Sequence, residues 1–472
     1  MIINLPTPSV MIVQGDSTVA EWRKTLEVRQ PGFQFTNAFK RGHWDGYVRP
    51  GRLTVNGDYY SLVINRGLLN HLRDFLKENE HDPPKFKLGY SVINKPDLNN
   101  IDDSVLDILR DYQIETLEKI ADNRWGRAAL ATNAGKGAII ALTAQILKPH
   151  KTLILADEVS VFQALEEELT KWTDVSVGLV EGGEKKIPDE DVVLGMAPTI
   201  SRRVTSKKLE TRKKWTEWLN TFTALLLDEA DKATSKTWTN ILFKAKNTEF
   251  RVGFSGSFPD KNTVDDIKLE ENIGPVLTEI KNIELVERGI SAKPTVEVYE
   301  YTSDSTLDVK DADLHTVYEH LVIKNEDRNN FVTNLLLPNK QNAIVVKYIE
   351  HGHILNELIP DSIFLRGDNS KQERKETLHR FQDGEFQNLI ATSILDRGSN
   401  LLGIVRCLVF ASGSGSDREI LQRMGRGLRR GEGKKEILIR DVYDYGHDFL
   451  VNASQKRMDV YENEGFDIKF IK

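Results

Sequence analysis

Residues 128–147 read AALATNAGKGAIIALTAQIL, and the alternation inside that stretch decides the fold. Residues 128–130 are a short apolar run of the kind that makes a buried strand, 133–136 form a turn, and 138–147 are apolar enough to be a packed helix. In such a strand, turn and helix the backbone N–H groups of the turn gather at the helix N-terminus and cradle phosphate, and Lys136 would neutralise β- and γ-phosphate charge. A Gly-Lys pair by itself is as often a surface turn.

Further along, residues 225–231 read LLLDEAD. Residues 224–227 predict a second buried strand, ending in Asp228, whose carboxylate can hold Mg²⁺, and Glu229, which can polarise an attacking water. Alone, DEAD is also simply a charged strand end. Phosphoryl transfer further needs positive charge on the developing γ-phosphate. Residues 422–430 read QRMGRGLRR. Arg426 and Arg429 are three apart, so on a helix they share a face and reach one phosphate together. A solvated basic helix is the plain alternative, but the spacing of Gln422, Arg423, Gly425, Arg426 and Arg429 is more particular than that.

Taken in series, these motifs resemble the superfamily two helicases and translocases over most of residues 108–445. The resemblance implies an α/β fold of two RecA-like lobes, each a parallel sheet with flanking helices, preceded by a small α+β N-terminal domain. It implies an ATP hydrolase using ATP and Mg²⁺, with Lys136, Asp228, Glu229, Gln422, Arg426 and Arg429 as the catalytic set and Asp228 on the metal. LRDYQ (109–113) resembles the glutamine motif, in which Gln113 would read the adenine edge. Thr132, Asn133, Ala134, Gly135, Lys136 and Gly137 would form the phosphate loop, and Asn400 would meet the ribose. ILADEVSVFQ (154–163), the pair Gly182 and Gly183, and GMAPTI (195–200) resemble segments that touch the nucleic-acid backbone, which implicates Gln163, Thr199, Arg202 and Arg203. In the second lobe AIVVKYIEHG (343–352), LRGD (365–368) and ATSILDRGSN (391–400) resemble further motifs and implicate Thr392. Ser255 and Ser257 of GFSGS stand where the family couples hydrolysis to movement.

Two positions depart from the family pattern. Gly137 replaces the Ser or Thr whose hydroxyl is a Mg²⁺ ligand, leaving Asp228 and water to hold the ion and raising the prospect of weakened hydrolysis. Asn400 stands where many relatives carry Asp.

At 472 residues and 39% hydrophobic content, the chain is long enough for two to four domains with sizeable cores. Cys407 is the one cysteine and lies in an apolar stretch, so it predicts a small core residue and a reducing, cytoplasmic setting, that of a bacterial host if the chain is phage-encoded. No apolar run approaches the roughly 18 residues of a membrane span, and the opening MIINLPTPSVMIVQGD lacks the basic start of a signal peptide. There is no zinc-type Cys/His spacing. The net charge of -7 argues against indiscriminate coating of nucleic acid. Locally the balance reverses: in SRRVTSKKLETRKK (201–214) seven residues are basic and one is acidic, which fits either a solvated helix face or phosphate contact.

The spacing predicts domains at 1–95, 96–283 and 284–472, with 81–100 as a connection. Within the first, FTNAFKRGHWDGYVRPGR (35–52) interleaves aromatic and basic residues around glycines. Phe35, Phe39, Trp44 and Tyr47 suit either a small core or a nucleic-acid face. Lys40, Arg41, Arg49 and Arg52 are harder to bury and are expected on phosphates. The pattern F-x-x-x-F-K-x-G-x-W-D-G resembles the start of phage UvsW-type helicases, which implies a DNA enzyme, monomeric in action, that unwinds and branch-migrates forked or four-way junctions in recombination, replication or repair. An RNA-directed helicase and a nucleotide-gated DNA-binding protein with weak or no ATPase are the alternatives.

Overall fold

The computed structural model describes residues 1–183, 187–303, 312–366, 368–392, 403–412, 428 and 434–471. Two compact units divide them: Met1–Leu130 with Gly135–Glu279, and Ala131–Ala134 with Ile280–Lys472.

In the first unit, alternation of apolar and polar residues builds a small sheet in the order Arg52–Asn56, Tyr59–Asn65, Val10–Gly15, Ile2–Thr7, Lys85–Leu88. Neighbours are antiparallel except for the last pair, which is parallel. Ile3 and Leu5, Met11 and Val13, and Leu62 and Ile64 point to the same buried face, as period-two spacing requires. Trp22 of helix Thr18–Thr25 and Leu69, Leu72 and Leu76 of helix Leu69–Glu78 cover that face. The stretch 81–100, expected as a mere connection, contributes the edge strand Lys85–Leu88, because KFKL can pair its backbone with Ile2–Leu5 while its side chains stay exposed.

The same unit holds a seven-stranded sheet in the order Val177–Val180, Val192–Met196, Thr152–Ala156, Ala224–Asp228, Phe250–Ser255, Trp125–Leu130, Val276–Ile280. The pairings through Trp125–Leu130 are parallel. Its central strands are buried at every position, as a parallel sheet covered on both faces demands. The small domain is fastened to this sheet through Arg251, which is 1% exposed. Its guanidinium donates to Ser9 Oγ (3.2 Å), Thr248 Oγ1 (2.9 Å) and the carbonyls of Leu242, Ala245 and Asn272. Among the described residues no carboxylate compensates it, and burial pulls its pKa down to about 9. Gly67 sits so close to helix Val264–Ile273 that a Cβ there would lie 2.0 Å from the Glu270 carbonyl, and Ile267 of that helix joins the small domain's core.

The second unit has its own seven-stranded sheet, in the order Ser362–Leu365, Asn388–Ala391, Asn342–Val345, Cys407–Phe410, Glu436–Asp444, Lys293–Tyr301, Asp467–Ile471, and all six pairings are parallel. The protein thus carries two parallel seven-stranded sheets with flanking helices, the RecA-like pattern, together with the small α+β domain. Cys407 is fully buried on a central strand, where burial pushes its thiol up to about 12. Arg328, at the start of helix Glu326–Thr333, is buried against both Asp444 oxygens (2.7 and 2.9 Å) and the Ala411 carbonyl (2.7 Å). Among the described residues no helix is long and apolar enough to cross a membrane.

Candidate nucleotide site

Strand Trp125–Leu130 runs into a loop that ends at Gly135, and helix Lys136–Ile146 begins immediately after it. Asn133 (φ 77°) and Gly135 (φ 85°) are both left-handed, a conformation that tightens the turn between strand and helix. Gly135 also has no room for a side chain: a Cβ there would lie 2.3 Å from Gln113 Nε2. Gln113 is held in that place from the other side, its Oε1 accepting the Arg110 N–H at 3.0 Å as part of the cap of helix Asp111–Asp122. The glutamine and the loop, which belong to separate motifs, are therefore in contact.

Lys136 Nζ lies 2.7 Å from Asp228 Oδ1 and 2.7 Å from Glu229 Oε1. The side chains are 22%, 5% and 16% exposed, respectively. Burial works to lower the lysine pKa, but the two carboxylates outweigh it and the net shift is upward, so the ammonium is firmly charged. Asp228 moves upward as well, because burial and the neighbouring Glu229 charge oppose ionisation more than Lys136 favours it. Glu229 is a left-handed non-glycine residue (φ 51°) directly after the strand, and its N–H donates to Asp228 Oδ1 at 2.9 Å. A conformation of that kind costs about 1–2 kcal/mol and turns the second carboxylate toward the lysine rather than along the strand.

One ammonium against two carboxylates leaves a formal charge of -1. When Lys136 turns to a bound phosphate, the carboxylates need another cation. The donor set fits Mg²⁺, which commonly takes one or two carboxylates and completes its shell with water. When bound, that ion would offset phosphate charge. Gly137 gives no hydroxyl, and the structure provides a reason for glycine there. Its φ is not left-handed, but a Cβ would lie 2.9 Å from Cγ of Glu168, whose Oε2 accepts from Trp172 Nε1 at 2.6 Å. The neighbouring helix Val159–Trp172 thus fills the space a serine would use.

Two links around the site are not legible in the motifs. Ser255 Oγ donates to Asp231 Oδ1 at 2.8 Å, joining GFSGS to the last residue of DEAD. Lys232 pairs with Asp157 and Glu158, joining the same loop to the start of helix Val159–Trp172. Opposite charge is the only sequence signal for the second link. Thr199 donates to the Glu181 carbonyl at 2.8 Å, beside Gly182, so two of the segments resembling backbone contacts are adjacent. Arg202 is exposed, and Arg203 lies 5.6 Å from the Trp215 ring. Gln163 is exposed and shares a shallow surface with Glu166, Glu167 and Lys171. Thr392 is 6% exposed at the end of strand Asn388–Ala391. Asn400, Gln422, Arg426 and Arg429 lie outside the described residues.

In the N-terminal domain, Phe35 (74% exposed), Phe39, Trp44 and Tyr47 are all absent from the buried core. Lys40, Arg41 and Arg52 are exposed. Arg49 is engaged: it forms a two-pronged pair with Asp45 (2.8 and 2.5 Å) and reaches Glu27 at 3.0 Å.

A lysine at the start of a helix, paired with an Asp-Glu at the end of a parallel sheet, is the arrangement of a P-loop nucleoside triphosphatase. Comparison with known proteins narrows this class. Residues 107–260 match the model of the type III restriction enzyme res subunit, and residues 327–431 match the helicase conserved C-terminal domain. The chain is 22% identical over 489 residues to the ATP-dependent DNA helicase uvsW of Enterobacteria phage T4, covering 95% of this chain and 91% of that protein. It is 23% identical over 384 residues to the DNA 3'-5' translocase XPB2 of Sulfurisphaera tokodaii, covering 72% and 82%. In fold it matches the ATP-dependent Type ISP restriction-modification enzyme LlaBIII bound to DNA, with a TM-score of 0.57 at 15% identity, covering 81% of this chain and 32% of that one. The two matched domains are those of an ATP-dependent helicase, and the chain is similar to the superfamily two enzymes of the UvsW kind.

Proposed function

We propose that this enzyme is a DNA helicase or translocase that works, as a monomer in the cytoplasm (of a bacterial host if phage-encoded), on forked or four-way junctions. The observation that carries the reading is the Lys136–Asp228–Glu229 cluster at the end of the phosphate loop, linked through Asp231 to Ser255. Lys136 would carry the β/γ-phosphate charge, Asp228 the Mg²⁺, and Glu229 would orient and polarise the attacking water. Gln113 would meet adenine and Asn400 the ribose, while Arg426 and Arg429 would supply charge to the γ-phosphate, with the neutral Gln422 completing the catalytic set. The names of the relatives favour DNA as the track.

Thr199, Arg202, Arg203, Gln163 and Thr392 are the proposed contacts to the tracked strand. In the N-terminal domain, exposed Phe35 beside Lys40, Arg41 and Arg52 offers a stacking surface within a basic setting. Arg49 is the weakest of that group, since Asp45 and Glu27 already neutralise it. ATP turnover and strand separation measured on linear, forked and four-way DNA, with matched RNA, test the proposal. Preference for branched DNA is the expected result, and equal action on RNA would overturn it.

A further inference from the structure

We propose that the seam between the N-terminal domain and the first seven-stranded sheet holds a second oxyanion site, one that takes a single phosphate group. A cavity of about 240 Å³ opens there, lined by Arg66, Arg73, Arg124, Asn70, Asp122 and Trp125, among others. Small-molecule pockets commonly span about 300–1,000 Å³, so this one suits a phosphoryl group rather than a whole nucleotide.

Its charge is unbalanced. Arg124 is paired with Glu249 at 2.9 Å, and Asp122 with Lys95 at 3.4 Å. Arg66 donates to the Tyr90 hydroxyl (2.8 Å) and the Pro8 carbonyl (3.4 Å), and Arg73 donates to Asn70 Oδ1 (3.5 Å), with its guanidinium 5.4 Å from the Phe86 ring. Among the described residues neither Arg66 nor Arg73 has a carboxylate within 4.0 Å, although Asp74 acts on Arg73 from further away. Two guanidiniums are therefore held at one cavity without an anionic partner, and each is a fork of donors matched to phosphate oxygens. The first turn of helix Leu69–Glu78 also faces the cavity through Leu69 and Asn70, so its partial positive charge adds to theirs.

The site is separate from the nucleotide loop. Trp125 opens the six-residue strand whose other end feeds that loop, which puts about 17 Å between them at roughly 3.3 Å per residue. The phosphate has two possible sources, free inorganic phosphate or the backbone of bound DNA. A DNA phosphate here would tie the small domain and the first sheet to the same duplex.

The test uses the full chain carrying Lys136→Met, so that the nucleotide loop does not contribute. Melting is followed as inorganic phosphate replaces chloride at constant ionic strength, and DNA affinity is measured against salt. If phosphate raises the melting temperature, and the rise vanishes in Arg66→Gln/Arg73→Gln but survives in Arg66→Lys/Arg73→Lys, the site takes the free anion. If phosphate has no effect but the Gln pair loses DNA affinity and flattens the salt slope by about 1.4–1.8, two contacts at roughly 0.7–0.9 each, the site takes backbone phosphate. If neither changes, the site does not exist. Should the double variant fold poorly, Arg73→Gln alone, which removes an exposed side chain with one long hydrogen bond, separates the same three outcomes at half the slope change.

Discussion

Replacing Lys136 by Met is expected to destabilise the protein as well as silence it. The ammonium is the partner of both Asp228 and Glu229 at 2.7 Å, and all three side chains are at least three-quarters buried. Removing one partner of a buried ion pair typically costs about 3–5 kcal/mol because the remaining charge is stranded. With 22% of the lysine exposed, the lower end applies, about 3 kcal/mol. For a unit of this size that corresponds to roughly 6–12 °C in melting temperature at about 2–4 °C per kcal/mol. One further variant and one added ion separate charge from packing. Lys136→Met/Glu229→Gln, with one fewer stranded carboxylate, should regain at least half of the loss, and Mg²⁺ should stabilise the Lys136→Met protein more than the parent. Scanning calorimetry of the three proteins, with and without Mg²⁺, measures all of this. If Lys136→Met melts with the parent and Glu229→Gln changes nothing in its background, the lysine does not neutralise the pair and the charge balance described for the site is wrong.

Three other outcomes follow from the same geometry. Gly137→Ser should lose about 1–3 kcal/mol through crowding against Glu168, and Gly137→Ser/Glu168→Ala should recover it in a urea titration; a stable single variant would show that the glycine is not there for space. Glu270 and Glu271 are both raised to about 7, in each case chiefly by burial, with the Asn65 N–H opposing the shift at Glu271. A carboxylate whose folded pKa lies above its unfolded value stabilises the fold below about pH 4.5 and loses that contribution as pH rises to about 7, so Glu271→Gln should raise the melting temperature at pH 8, leave it unchanged at pH 4, and flatten the slope between; a uniform shift at both pH values would point to packing instead. Neutralising Lys40, Arg41 and Arg52 together with Phe35→Ala should spare ATPase stimulated by single strands and impair action on four-way DNA in a strand-exchange gel assay, and unchanged junction processing would remove the N-terminal surface from any role in substrate choice.

Much of the engine was legible because its chemistry is local in sequence. Apolar runs at 128–130 and 224–227 gave the strands Trp125–Leu130 and Ala224–Asp228, since a covered parallel strand has no polar face to disguise it. Motif spacing likewise led to Gln113, Lys136, Asp228 and Glu229, although only the folded chain shows Gln113 pressed on Gly135. What escaped was set by distant partners. Nothing near Gly137 announces Glu168, and the role of Arg251 as a fastener depends on Ser9, far away in the chain. Arg49 read as a phosphate contact because its pairing with Asp45 and Glu27 needs the turn at Gly46 and the strand pair Val28–Arg29 and Tyr47–Val48 to bring them together. The aromatics of residues 35–47 left two readings open, and their absence from the core follows from the sheet's own alternation, which fills that core with aliphatic residues and Trp22.

The central claim is that Glu229, turned back on Lys136 by its left-handed backbone, activates water for ATP hydrolysis coupled to DNA. Phosphate release by Glu229→Gln, measured with and without saturating DNA alongside nucleotide binding, tests it most directly. Binding should persist while DNA-stimulated turnover falls by about 10²–10⁴; turnover at the parental rate would contradict the assignment.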